Sequence, residues 1–216
     1  MAQSLKLLRS ISPPKQARSE QTARRILDAA QALIERQGLA ALSIPEVVRR
    51  ARSSTGSFYA RFADKNALLG ALEERFFDEV LGVVDELADV ERWRGRPTRE
   101  LVYACNLEML RRLRAHARLV CAFMFRSAHE ATFATHVKRF HERLTARMRE
   151  LFLSRRSEMS HPDPEAAVDL VLELAFTLMQ ARILFAGRAA PAHEGGDEPL
   201  ARELTRMFLA YVGAEV

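Results

Sequence analysis

An all-α fold follows from three observations. Apolar residues recur at spacings of three and four, residues that cap or end helices punctuate those stripes, and no stretch alternates polar with apolar over a useful strand length. The chain has 216 residues, 48% of them hydrophobic, enough for one large core or two small ones. No internal repeat or low-complexity tract intervenes. The expected architecture is an amino-terminal three-helix domain followed by a larger helical domain.

Residues 1–17, ending in SPPKQAR, show no helical register and are expected to form a flexible basic arm. Lys15 and Arg18 are its candidate phosphate or minor-groove contacts. From Ser19, a candidate cap, Ile26, Ala29, Ala30, Leu33 and Ile34 form one apolar stripe, and Gly38 closes the helix in the left-handed position. A second helix starts at Ser43 with Glu46 three residues on, the pattern of a reciprocal capping box. Pro45 is tolerated there because first-turn N–H groups have no intrahelical acceptor. Val47, Val48 and Ala51 face inward. A short third helix runs from Ser54 to about Phe62, with Phe58 and Phe62 as its buried pair. Asp64 caps a fourth, with Leu68, Leu69, Leu72 and Phe76 on its apolar stripe.

Arg94–Pro97 is a break, and Thr98 is expected to cap the next helix. Further helices are expected at about 98–114, 116–127, 129–156, 164–187 and 198–213. The domain boundaries are placed at 18–65 for the first domain and 66–216 for the second.

Charge is unevenly spread. The first 66 residues hold 12 Lys and Arg against 5 Asp and Glu, and the rest hold 21 against 23. The base is concentrated where a polyanion would be met. Cys105 and Cys121 are too few for a disulfide framework and lack the paired spacing of a zinc site, so free thiols in a reducing compartment are expected. The opening LKLLRSI is too short and too cationic for a signal-peptide core. Val168–Phe185 is broken by Asp169, Glu173 and Arg182, which argues against a membrane span. A cytoplasmic protein is expected.

Residues 43–62 have the pattern of a helix-turn-helix, in which one helix braces the backbone and the next enters the DNA major groove. Ser54, Thr55, Ser57, Tyr59, Ala60 and Arg61 are left on the outer surface. Small hydroxyl residues let a helix lie close to base edges, while Tyr59 and Arg61 can reach phosphate oxygens. Gly56 removes a side chain where backbone and DNA approach most closely. The helix starts near Ser43 and Asp64 present N–H groups suited to phosphate.

Ser43 through Leu69, preceded by ILDAAQALIERQG, resembles the amino-terminal domain of the TetR (tetracycline-repressor-like) family of bacterial regulators. The matching features are Ala29-Ala30 with Gly38, Ser43, the run Gly56-Ser57-Phe58-Tyr59-Ala60-Arg61-Phe62, and Lys65. The resemblance covers about residues 18–72. It implies an all-helical homodimer that binds a near-palindromic, inverted-repeat operator on double-stranded DNA, usually as a repressor released by a small molecule. It also implies phosphate contacts from Tyr59 and Lys65, a hydroxyl contact from Ser43, and base-facing positions for Thr55 and Ser57. Two departures stand out. Arg52 occupies the turn position where the family usually has glycine, so that turn must change geometry or accept strain. Pro45 sits where some members carry a base-reading arginine.

Thirteen of the 16 aromatic residues lie beyond residue 66. Stripes such as Phe133, Val137, Phe140 and Leu144 are either ordinary core or the lining of an apolar cavity between helices. Candidate lining residues are Tyr103, Leu107, Cys121, Phe125, Phe133, Phe140 and Phe176, a set that favours a hydrophobic or aromatic effector. His129 and His136, seven apart and close to one helical face, are either a polar pair orienting that effector or solvated and capping histidines. No metal site, cofactor motif or catalytic constellation rises from the sequence. Val168, Leu170, Val171, Leu172, Leu174, Ala175, Phe176, Leu178 and Met179 wrap nearly the whole circumference of one helix, which calls for burial on all sides. A second copy of the chain, docked through the last two long helices, would provide it. The competing readings are an architectural DNA-binding protein without an effector and a helical enzyme or scaffold.

Overall fold

The structure, a computed structural model, describes residues 15–184 and 196–214. Among them the long elements are all helices: α1 (Lys15–Gln37), α2 (Ile44–Arg50), α3 (Thr55–Tyr59), α4 (Lys65–Leu87), α5 (Thr98–Ala115), α6 (Ala117–His129), α7 (Ala131–Leu153), α8 (Pro164–Leu184) and α9 (Asp197–Val212). Short 3-10 turns occur at Leu39–Ala41, Val90–Trp93 and Arg156–Glu158. The chain divides into two compact units, Met1–Glu73 and Glu74–Val216, and the division falls within α4.

In the first unit, Ile26, Ala30, Leu33 and Ile34 of α1 are fully buried with Val47 of α2 and Phe58 of α3, and Ala29 is half-buried. Phe62, Leu68, Leu69 and Leu72 complete this core. α1 begins at Lys15, so Ser19 lies inside the helix and does not cap it. Lys15, Gln16, Ala17 and Arg18 are all good helix formers, and nothing in them opposes the extension. The rest of the expected arm, residues 1–14, lies outside the described residues. Gly38 has the positive φ expected at the end of α1 (84°), but its ψ of 170° is extended. The chain therefore leaves α1 into a 3-10 turn, with the Gly38 N–H donating to the Ile34 carbonyl at 2.7 Å.

The second unit is organised around α5, which packs against α9, while α6, α7 and α8 pack in sequence order. Between α4 and α5 the buried Trp93 anchors the turn: its indole N–H donates to the Leu87 carbonyl at 2.7 Å. The guanidinium groups of Arg92 and Arg96 lie 5.4 and 5.2 Å from its ring centroid. Thr98 does not cap α5. Pro97 holds the cap position and the Thr98 hydroxyl donates to the Glu158 carboxylate, a charge-assisted bond stronger than the cap it forgoes.

α9 ends at Gly213, which is left-handed at φ 68° and ψ 38°. There the N–H groups of Ser160 and His161 donate to the Val212 carbonyl at 3.2 and 3.1 Å, and Ser160 Oγ donates to the Gly213 carbonyl at 2.8 Å. A Cβ on Gly213 would stand 2.2 Å from Ser160 Oγ, so both the conformation and the contact call for glycine.

The expectation for α8 is met on one side only. Ala167, Val168, Val171, Leu172 and Met179 are buried within the chain, whereas Leu170, Leu174 and Leu178, one helical turn apart, are exposed. Met207 and Tyr211 of α9 are exposed too. Among the described residues no helix is long and apolar enough to cross a membrane. Both cysteines are free thiols.

Candidate nucleic-acid interface and internal cavity

The helix-turn-helix is built by local chemistry at three corners. At the first, Ser43 sits in extended backbone ahead of α2, but its side chain makes no capping bond. The expected capping box is absent. Glu46 turns instead to the guanidinium groups of Arg49, at 2.6 Å, and Arg50, at 2.5 Å. The hydrogen bonds from Arg49 and then Arg50 hold its carboxyl well below the usual range, at about 2. Two charge-assisted bonds outcompete one to a backbone N–H. The Ser43 hydroxyl is thereby left on the exposed surface.

At the second corner, Arg52 takes the left-handed conformation with φ 48°, the only non-glycine residue with positive φ among those described. The Ser53 N–H donates to the Val48 carbonyl at 3.0 Å and the Arg52 N–H to the Arg49 carbonyl at 3.2 Å. Those two bonds are the Schellman closure that glycine ordinarily supplies. The turn keeps its geometry and accepts strain, at a cost of roughly 1–2 kcal/mol relative to glycine.

At the third corner Ser54 caps α3, accepting from the Ser57 N–H at 3.1 Å, and Asp64 caps α4, accepting from the Ala67 N–H at 2.8 Å. The Asp64 cap is as the sequence predicts; Ser54, expected as the first residue of the third helix, caps it instead, and that helix ends at Tyr59, short of Phe62.

α3 is pinned from inside by Phe58, fully buried, with Phe62 at a ring separation of 5.6 Å. Its outer face carries Ser54, Thr55, Gly56 and Tyr59, all exposed or nearly so, and Ser57, half-buried. A Cβ built on Gly56 meets nothing within 4 Å, and its φ is not in the left-handed region. Nothing among the described residues therefore requires that position to be small, although glycine in a helix costs about 1 kcal/mol relative to alanine. Lys65 stands half-buried at the first position of α4.

Arg61 is placed differently from the other candidates. Its Nε donates to the Ser19 carbonyl of α1 at 3.0 Å and its Nη1 to the Ser57 carbonyl at 2.6 Å. Ser57 has an acceptor left over at the carboxyl end of α3, because the Arg61 N–H itself bonds Phe58. The side chain thus closes α3 and ties it to α1.

In the second unit a cavity of about 290 Å³ opens among α4 to α8. Of the candidate lining residues it brings together Phe140 and Phe176. Phe77 stacks on Phe140 with centroids 4.0 Å apart and planes 9° apart, and Phe123 packs against Phe77 at 6.2 Å. Met109, Val120 and Leu144 extend the apolar wall, and His141 and Gln180 add polar groups to it.

The other candidates lie elsewhere. Phe125 is 60% exposed and packs at a tilt against His129, with ring centroids 4.4 Å apart; the His129 Nδ1 lies 2.7 Å from the Phe125 carbonyl oxygen. Phe133 is buried beneath Arg126, whose guanidinium lies 4.3 Å from its ring centroid, and is not among the lining residues. Cys121 points its Sγ at the Ile183 carbonyl, 3.9 Å away. Leu107 borders a separate depression with Glu86, Arg92 and Arg111. Tyr103 is half-buried on α5 and does not line the cavity. His136 is exposed on α7, and because Glu130 breaks the chain between α6 and α7, His129 and His136 share no helix. The missed residues had one signal: His141 continues the Val137, Phe140 and Leu144 stripe at helical spacing. Among the described residues no group of His, Cys, Asp and Glu could hold a metal ion.

Residues 26–72 match the family described as bacterial regulatory proteins, tetR family. The A-factor receptor protein of Streptomyces griseus is 41% identical over 58 residues, which is 27% of this chain. The aligned part is about a fifth (21%) of that relative's length. Two solved structures share the fold over most of the chain. A TetR transcription regulator from Haloarcula marismortui has a TM-score of 0.68 at 14% identity, with 90% of this chain and 97% of that one covered. A transcriptional regulator from Rhodococcus sp. has a TM-score of 0.67 at 19% identity, with 90% and 98% covered. By sequence over residues 26–72 and by fold over most of its length, this chain carries the amino-terminal domain of the tetR family of bacterial regulatory proteins on the helical architecture of solved regulators.

Proposed function

We propose that this protein is a DNA-binding transcriptional regulator that acts as a homodimer on an inverted-repeat operator, represses, and is released by a small hydrophobic effector. The observation that carries the DNA-binding part is the outer face of α3. A helix held rigidly from within by Phe58 and Phe62 presents Thr55, Gly56 and Tyr59 outward, and the fold itself makes no use of the small size of Gly56. Thr55 and Ser57 are the base-facing candidates; Tyr59 and Lys65 are the phosphate contacts, and Ser43 adds a hydroxyl contact. The exposed Leu170, Leu174 and Leu178 with Met207 and Tyr211 support a second copy docked on α8 and α9. A groove of about 430 Å³ between these helices, lined by Leu174, Leu178, Met207 and Tyr211, would receive its side chains. The aromatic cavity supports effector binding.

Selecting bound fragments from the source genome tests this reading: one inverted repeat, with half-sites about one helical turn apart or somewhat more, is expected. Fragments without any shared sequence would leave only a polycation.

Arg61 divides the reading head into contact and brace. We assign it to the brace, because both donors that the fold engages are committed to protein carbonyls. Lys65→Ala is expected to lower the slope of log affinity against log salt by about 0.9 for each phosphate no longer neutralised, so by about 2 in a dimer. Arg61→Met is expected to leave that slope unchanged while the preference for operator over random DNA falls. A slope reduced as much by Arg61→Met as by Lys65→Ala would return Arg61 to the phosphate-binding set.

A further inference from the structure

We propose that the cavity receives an uncharged, largely aromatic molecule bearing one hydrogen-bonding oxygen, and that His141 and Gln180 hold that oxygen. The inference rests on reading the cavity as the effector site, and it follows from what the wall can and cannot compensate.

Charge is the first constraint. Among the described residues that line the cavity, Arg112 is the one fixed charge. Its Nη1 meets Glu79 at 2.6 Å and its Nε meets Glu108 at 3.0 Å. Two carboxylates already balance it, so an anion entering the cavity would find no uncompensated cation. An entering cation would gain the attraction of ring faces, but with the neighbouring carboxylates committed to Arg112 that is less than the hydration it would give up. An ion left without a partner in such surroundings is excluded by the loss of its hydration.

Shape is the second. The parallel stack of Phe77 on Phe140 and the flanking rings of Phe76, Phe123 and Phe176 form flat walls. Ring faces of this kind receive another ring in offset or edge-on contact. A volume of about 290 Å³ lies at the small end of ligand pockets, which suits one or two fused rings.

The polar groups supply the third. Ser127 Oγ donates to the Met124 carbonyl of its own helix at 2.9 Å, so its hydrogen is spent. His141 on α7 and Gln180 on α8 are different. Their nitrogens are 3.4 Å apart, too long for a strong bond, which leaves both groups with hydrogen-bonding capacity. Burial pushes the His141 imidazole toward its neutral form, with one donor and one acceptor nitrogen. A neutral imidazole beside a carboxamide can serve a hydroxyl or a carbonyl in either direction.

The test measures binding of three probes of matched ring size, naphthol, naphthalene and naphthoate, to the full-length protein by calorimetry. Naphthol is expected to bind about tenfold more tightly than naphthalene, the worth of a good hydrogen bond, and naphthoate more weakly than both. Gln180→Leu and, separately, His141→Phe are expected to bring naphthol down to the naphthalene affinity while leaving naphthalene unchanged. Two variants guard against one that fails to fold. Naphthoate binding as tightly as naphthol, or naphthol and naphthalene binding equally to the unaltered protein, overturns the proposal and leaves the cavity as an effector site. No binding of any probe, with the melting temperature unmoved, overturns the effector-site reading itself and this proposal with it.

Discussion

Leu178→Glu is expected to yield a folded monomer whose operator affinity has fallen by a factor on the order of 10³ or more, to the level of non-specific binding. Leu178 is 39% exposed within the chain, so the substitution removes little from the protein's own core. In a dimer formed through α8 and α9, the same carboxylate would be buried without a partner, which is strongly destabilising. The fall in affinity follows because one reading helix engages only half of the operator. Sedimentation gives the mass and fluorescence titration with labelled operator gives the affinity, while circular dichroism confirms that helix content is unchanged. Leu174→Glu and Met207→Glu should behave alike. An intact dimer in all three variants would move the interface away from this face.

Phe58→Ala is expected to destabilise the first unit by about 3–5 kcal/mol, the usual cost of truncating a fully buried phenylalanine. The ring holds α3 from below, touching Phe62 at 5.6 Å and Tyr59 edge-on at 5.4 Å. α3 has only five residues and cannot sustain itself as a helix without that packing. Operator binding should be lost, while the cavity in the second unit should bind probes as before. Denaturant titration followed by far-ultraviolet dichroism would resolve an early transition for the first unit. A single transition shifted for the whole chain would instead mean that the two units unfold as one.

The reading head is legible in the sequence because its punctuation is local. Ser54 and Asp64 cap within three residues of themselves, and the Phe58 and Phe62 pair sits one turn apart. Arg52 stands out by residue type alone, and the left-handed backbone there bears out the tension the substitution implies. Ser43 and Glu46 show where local pattern misleads. The spacing fits a capping box, but Arg49 and Arg50 offer Glu46 a stronger partner on the next turn. Arg61 reads as an exposed cation in the sequence; its bond to Ser19 spans 42 positions and has no local signal.

The cavity is less legible for a geometric reason. Composition places it in the aromatic-rich part of the chain, but successive helical residues are rotated by about 100°, so a small error of phase exchanges wall for surface. Phe123 and Met124 line the cavity, and Phe125, the next residue, faces solvent. Likewise Phe133 belongs to the core beneath Arg126, a cation–ring contact between α6 and α7 that helical spacing does not encode.

The two thiols carry a practical consequence. Burial raises Cys105 to about 12 and pushes Cys121 up as well, so near neutral pH both stay protonated and react sluggishly with maleimides or methanethiosulfonates. Ala60, exposed just beyond the last turn of α3, offers a position for a third cysteine. The thiol introduced by Ala60→Cys would stand exposed, where Cys105 is buried and Cys121 half-buried, and would react ahead of them. A brief exposure to nitroxide reagent would then place a single spin label beside each reading helix. In the proposed dimer, dipolar spectroscopy would read the separation between the two labels directly, before and after addition of a probe for the cavity.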